Sequence, residues 1–428
     1  MVKLLNNRVV FIFSCLLFRV ALDLSYVLFV SKVFFYEGYS LEVSVDRYLM
    51  SWLVYGICTI LVRHMLHVIS DYFIVTFLLA IIAPLSSMIG LGNYSVFPFF
   101  VVIAVFFFFK LFQYGGPLSP LMPPPKVPRL ARGRKVSLYI AFVAVVFLIL
   151  WYFASGAVMH FNLNFSKVYD YREQSAELAN VGVLAYLNNW VYKVFSVFLI
   201  SYSLYKRNFL FFAALCAAQV FFYGVSNHKA VFFTPIMIFG VWYYFRRFNS
   251  LTIMPVGFLL VVVGSLAAYL YLGEVMVGSL FIRRVFYVPS LLMFDYFEFF
   301  FNNQFVYWSN SVLSSFIAYP YDVGLPHVIG EYNGSGAGAN NGFIASGYAH
   351  AGVMGVVIYS VILAYFIKIV DCVVIKSDIP TWLAVCMMLI PLRSTLIASD
   401  LLTTMLTHGL LIALVMLLLF RDSRAQVA

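Results

Sequence analysis

Charge is what this chain has least of. Only 10% of its 428 residues are charged, and just 17 are Asp or Glu. A water-soluble domain needs more charge than that to cover its surface. Cysteine is also scarce: Cys15, Cys58, Cys216, Cys372 and Cys386 lie in or beside apolar runs, and none forms a CxxC pair. They read as packing residues, which excludes a disulfide scaffold. No Walker A loop is present, so nothing points to an ATP-driven pump. HExxH, GxSxG and Cys/His clusters are missing too, and the loops that face outward hold no clear carboxylate pair for a divalent ion. Neither a metal nor a cofactor is expected.

What fills the chain instead is apolar. Hydrophobic residues make up 64% of it, with 46 Phe and 30 Tyr, and the mean hydropathy is +0.96. Lipid is the natural solvent for such a sequence. Apolar runs long enough for a span recur near 9–30, 48–69, 72–92, 95–113, 136–156, 188–205, 208–225, 230–245, 252–272, 345–367, 380–399 and 402–420. Alternating strand patterns are absent, and lipid forbids unpaired backbone, so the runs must be helices. The expectation is an all-α polytopic integral membrane protein of about 12 transmembrane helices, with residues 1–428 as one multi-span membrane domain. The run at 9–30 lacks a small-residue cleavage site and reads as a retained span.

The net charge of +10 follows membrane topology and does not indicate nucleic acid. Arg63, Lys110, Arg134, Lys206, Arg246, Arg247 and most other cations fall on one set of loops. The positive-inside rule puts those loops, and both termini, in the cytoplasm. The segment 114–135 is proline-rich and then basic, as a cytoplasmic linker over anionic headgroups would be. Two large loops face the other way, at 157–187 and 273–344. Long loops in compact membrane proteins usually carry function.

Arg172, Arg283 and Arg284 stand on the face that should be depleted of cations. The guanidinium fork fits phosphate oxygens, so three such groups suit a pyrophosphate; interfacial snorkelling is the plainer alternative. Lys229 can reach the same ligand or simply face water in a turn. Asn340 and Asn341 can bind sugar hydroxyls or cap the helix that follows. His350, in the first turns of that helix, is a candidate general base because its ordinary pKa is near neutrality. Asp400 shares a helical face with Arg393 and borders the same side. Arg19 and Asp23, four apart inside the first run, are expected to pair with each other.

Several of these segments resemble those of bacterial O-antigen polymerases, the Wzy family. "IRRVFYVPS" looks like the arginine-bearing stretch of that family's second large loop, and "YREQSAELANVG" stands where the first loop carries its arginine. "HKAVFFTPIMIFGVWYYFRRF" is similar to a segment in which a lysine precedes a span ending in paired arginines. "ANNGFIASGYAHAGVMGV" is similar to the Asn-rich entry to a late span. The resemblance covers most of the chain from about residue 136 onward; the first four spans match only in hydropathy.

The resemblance implies a glycosyltransferase of the bacterial inner membrane whose site faces the periplasm. A growing glycan would pass from undecaprenyl pyrophosphate to the non-reducing end of a lipid-linked repeat unit. Arg172, Lys229, Arg283, Arg284, Asn340 and Asn341 would bind substrate, and His350 or Asp400 would be catalytic. The implied partners are the undecaprenyl-pyrophosphate-linked oligosaccharide, membrane lipids and a Wzz-like chain-length regulator. An O-antigen ligase or a lipid-linked oligosaccharide flippase are the alternatives; "NN" in place of a histidine–asparagine pair counts against the ligase.

Overall fold

The computed structural model describes residues 6–126, 130–164, 178 and 182–421, and among them the regular secondary structure is helical. The all-helical, multi-span class is as expected. The count is not. Among the described residues eight helices are long and apolar enough to cross a membrane: Arg8–Val33, Ile69–Leu91, Gly133–Ala154, Phe209–Ser226, Ile253–Leu272, Val275–Asn302, Phe343–Ile375 and Leu401–Phe420. The expectation of about 12 spans bracketing two large periplasmic loops is therefore corrected.

Length explains most of the difference. Val45–Leu61, Val96–Phe112, Lys229–Phe245 and Thr381–Ile397 each have 17 residues. At a rise of about 1.5 Å per residue, such a helix falls short of a hydrocarbon core about 30 Å thick. Lys229–Phe245 and Thr381–Ile397 also carry internal prolines, Pro235 and Pro391. The run at 188–205 lies in helix from Leu184 to Tyr205, interrupted by a π segment at Val191–Phe195. Asn188, Asn189 and Lys193 lower its hydropathy.

The eighth long helix was not expected. Val275–Asn302 occupies the first part of what reads as the loop 273–344. Its Arg283, Arg284, Asp295 and Glu298 hide the apolar character of the residues around them. The arginine pair sits in a nine-residue π stretch, Ser279–Tyr287, a geometry that often marks functional sites. About half of the other expected loop, 157–187, lies outside the described residues.

The chain forms two compact units. The first comprises Met1–Pro123, Asn249–Lys368 and Thr395–Leu401. Its core helix is Ile69–Leu91, of which 94% of the apolar window is buried. Arg8–Ser25 packs on Ile253–Leu272, and Val45–Leu61 on Ala83–Leu91. Phe18, Phe258 and Phe286 meet in a ring cluster with centroids 5.4 to 5.9 Å apart. Between these helices Arg19 and Asp23 form the expected ion pair, and both are buried. Arg19 donates through Nε to Ser86 Oγ at 2.7 Å and through Nη2 to Ser51 Oγ at 3.3 Å, with Trp52 under its guanidinium. Asp23 accepts from Ser87 Oγ at 2.6 Å and from Tyr48 Oη at 3.1 Å. A buried ion pair persists only where such extra hydrogen bonds offset desolvation.

The second unit comprises Pro124–Phe248, Ile369–Ser394 and Leu402–Ala428. Phe209–Ser226 packs on Lys229–Phe245, and Gly133–Ala154 on Leu410–Phe420. Gly133 lies so close to the Leu419 carbonyl that a Cβ would clash there.

Candidate functional site: a Trp308–Tyr359–Asp400–His350 network

In the first unit the helix Phe343–Ile375 is broken just after His350. Ala351 has φ −156°, ψ 37°, and Gly352 has φ 58°, ψ −144°. The second combination is open essentially to glycine alone. The break frees the carbonyls of Ala349 and His350 from the helical ladder. They accept instead from the backbone N–H groups of Val306 and Tyr307, each at 2.9 Å. Tyr307 and Trp308 hold left-handed φ values of 48° and 55°, which cost energy for residues with a Cβ. The hydrogen bonds to the broken turn hold them there.

This arrangement seats Trp308 against His350. The indole stacks on the imidazole with centroids 5.1 Å apart and planes 14° from parallel. The backbone N–H of Trp308 donates to His350 Nδ1 at 3.2 Å. A nitrogen that accepts a hydrogen bond carries no proton, so the neutral ring bears its hydrogen on Nε2. That nitrogen lies 3.3 Å from Asp400 Oδ2. The indole N–H of Trp308 can only donate, and it does so to Tyr359 Oη at 2.9 Å. Tyr359 in turn donates to Asp400 Oδ2 at 2.8 Å. Every donor in the chain points toward the Asp400 carboxylate.

Burial separates the two acid–base groups. The His350 side chain is 1% exposed and that of Asp400 21%. His350 uses both ring nitrogens inside the protein, whereas Asp400 reaches the surface. Elsewhere in the first unit burial pushes the Tyr319 phenol up to about 12, so it stays a neutral donor to the Val323 carbonyl at 2.9 Å.

The other sequence candidates fall out differently. Arg283 is ion-paired with Glu37, donates to Ser279 Oγ from Nε at 3.2 Å and Nη2 at 3.1 Å, and stacks on Phe34. Its fork is already filled. Arg284, next to it, is exposed, and among the described residues it has no hydrogen-bond or ion-pair partner. Asn341 is buried; its amide donates to the Pro289 carbonyl at 3.0 Å and its Oδ1 accepts from Gly342 N–H at 2.7 Å. It fastens the entry of the Phe343–Ile375 helix to the helix that carries the arginines. Asn340 is exposed on the preceding loop. Lys229 is exposed at the first position of Lys229–Phe245, in the second unit. Arg172 lies outside the described residues.

His350 and Asp400 are thus brought together. Sequence reasoning missed Trp308 and Tyr359. Tyr359 lies nine residues beyond His350 (350 to 359) and, across an unbroken helix, would stand on the opposite face. Trp308 sits in "QFVYWSN", where aromatics beside polar residues were the only hint.

The chain matches no protein-family model, no curated protein and no solved structure.

Proposed function

We propose that this multi-span membrane protein is a polymerase of lipid-linked glycans, acting at the periplasmic face of a bacterial inner membrane. The reading rests on one structural observation: a part-exposed carboxylate, Asp400, into which three buried or half-buried groups direct hydrogen bonds, directly or through a relay. Such a preorganised carboxylate suits a general base. It is supported by the resemblance of "IRRVFYVPS" to the arginine-bearing loop of O-antigen polymerases.

In this reading an acceptor hydroxyl on the non-reducing sugar of a lipid-linked repeat unit gives its proton to Asp400. Its oxygen forms the new bond to the anomeric carbon of the growing glycan. The bond from that carbon to undecaprenyl pyrophosphate breaks, and the pyrophosphate leaves with the electron pair. Arg284, exposed and without an ion-pair partner among the described residues, meets the developing negative charge, a contribution that is often the largest in such sites. Arg283 acts indirectly: held by Glu37, it fixes the π turn that presents its neighbour. His350 orients Asp400 and takes the role of its partner. Arg172 and Lys229 remain candidates for the pyrophosphate, and Asn340 for sugar hydroxyls. A chain-length regulator is the expected protein partner.

One observation favours a second reading. The buried Arg19–Asp23 pair and its serines are what a lipid-linked oligosaccharide transporter would use within its spans. Lipopolysaccharide from a deletion strain separates the two. A polymerase mutant still caps its lipopolysaccharide with a single repeat unit, and restoring the gene restores the ladder. Loss of the single-unit band as well would contradict polymerisation and point to a flippase or ligase.

A further inference from the structure

The second unit carries an arginine pocket that the proposed reaction does not use. Arg207, Phe209, Trp242, Arg246 and Arg247 line an open cavity of about 600 Å³. Two turns build it. Arg207 ends the Ser196–Tyr205 helix in the left-handed region, at φ 55°. Asn208 follows and caps Phe209–Ser226, its side chain accepting from Phe211 N–H at 3.0 Å. Arg246 and Arg247 come directly after the last residue of Lys229–Phe245.

Aromatic rings set the arginine heads in place. Arg246 lies over Trp242 with its guanidinium carbon 4.1 Å from the ring centroid, and Arg247 lies over Tyr243 at 5.0 Å. Phe209 meets Trp242 edge-on at 6.1 Å. These contacts hold the cations without neutralising them. Among the described residues none of the three arginines pairs with a carboxylate. No Asp or Glu occurs between Glu177 and Glu274 in the sequence. Arg246 Nε is moreover shielded from solvent and has no hydrogen-bond partner. A desolvated donor left unused is costly, and three like charges around one cavity repel each other.

We propose that this pocket binds a phosphate group. Guanidinium forks match phosphate oxygens in a bidentate way. The N-terminus of Phe209–Ser226 adds a favourable dipole at the same place. The phosphate can belong to the headgroup of an anionic membrane lipid or to a soluble phosphate compound. Tyr243, exposed beneath Arg247, is of the kind enriched at the membrane–water interface.

The test uses the full chain purified in a neutral detergent. Thermal stability is measured with added phosphatidylglycerol, with diacylglycerol, which has no phosphate, as the uncharged control, and separately with inorganic phosphate. The wild type is expected to be stabilised by at least one of the two anions. Arg246→Gln and Arg247→Gln should weaken the apparent affinity about tenfold or more, as expected for loss of a charged hydrogen bond. Lys206→Gln, which removes a neighbouring cation outside the cavity, should respond like the wild type. Stabilisation by phosphatidylglycerol alone assigns the site to lipid, and stabilisation by inorganic phosphate as well assigns it to soluble phosphates. Arg247 is exposed, so its variant is expected to fold even where Arg246→Gln does not. The proposal is overturned if neither anion stabilises the wild type, or if Arg247→Gln responds as the wild type does.

Discussion

His350 and Asp400 lie 50 positions apart in the chain, yet His350 Nε2 stands 3.3 Å from Asp400 Oδ2. Because Trp308 N–H occupies the other ring nitrogen, the histidine can only present a proton to the aspartate. The pair therefore has a direction: the imidazole donates and the carboxylate accepts.

That direction separates two substitutions. Asp400→Asn keeps the shape and removes the basic group, so glycan transfer should fall by about 10²–10⁴, the usual worth of a general base. His350→Gln removes a positioning partner and should cost less. Transfer rates in membranes containing equal amounts of each variant compare the two; equal losses would return the base role to His350.

Tyr359→Phe removes the hydroxyl that accepts from Trp308 Nε1 and donates to Asp400. The indole N–H then lacks an acceptor in a part-buried place. Such a loss costs about 1–3 kcal/mol, which should show as a lower unfolding temperature in detergent together with reduced transfer.

Gly352→Ala should also destabilise. Gly352 combines φ 58° with a Phe305 ring that would stand 3.1 Å from a new Cβ. A strained backbone position costs about 1–3 kcal/mol. Gly240→Ala, in a helix with nothing within 4 Å of its new Cβ, serves as the comparison and should be neutral or slightly stabilising.

The two neighbouring arginines should divide stability from activity. Arg283→Ala breaks the contact with Glu37 and Ser279 and should lower the unfolding temperature. Arg284→Ala, at an exposed residue with no ion-pair partner among the described residues, should leave that temperature unchanged while transfer falls. A full glycan ladder from Arg284→Ala would remove it from the site.

The Arg19–Asp23 pair offers a test of structure against transport. Removing one partner of a buried pair typically costs about 3–5 kcal/mol, while replacing both with apolar residues is often tolerated. Ser51 and Ser86 have their own backbone acceptors, Tyr48 O and Ala83 O at 2.8 Å, so they survive the loss of the guanidinium. Arg19→Met should therefore destabilise, and Arg19→Met with Asp23→Leu should recover much of the stability and keep polymer formation. A stable double variant that makes no capped lipopolysaccharide would favour the transporter.

The helical membrane class was legible because lipid leaves long apolar runs few alternatives. So was the Arg19–Asp23 pair, because residues four apart share a helical face. The number of spans was not, since helices such as Val96–Phe112 read as spans from their apolar density although they stop at 17 residues. In Val275–Asn302 the opposite happened: four charges made a long helix look like a loop. His350 and Asp400 were picked out one by one from residue type. Their partnership was hidden, because "HAGVMG" reads as continuous helix and nothing local announces the break at Ala351 and Gly352. Trp308 meets His350 only through that break.

The most direct measurement is the lipopolysaccharide gel profile of a deletion strain carrying either the wild-type gene or Asp400→Asn, with equal membrane expression verified. The account predicts a full ladder from the wild type and a single-repeat band from Asp400→Asn. A full ladder from Asp400→Asn would contradict it.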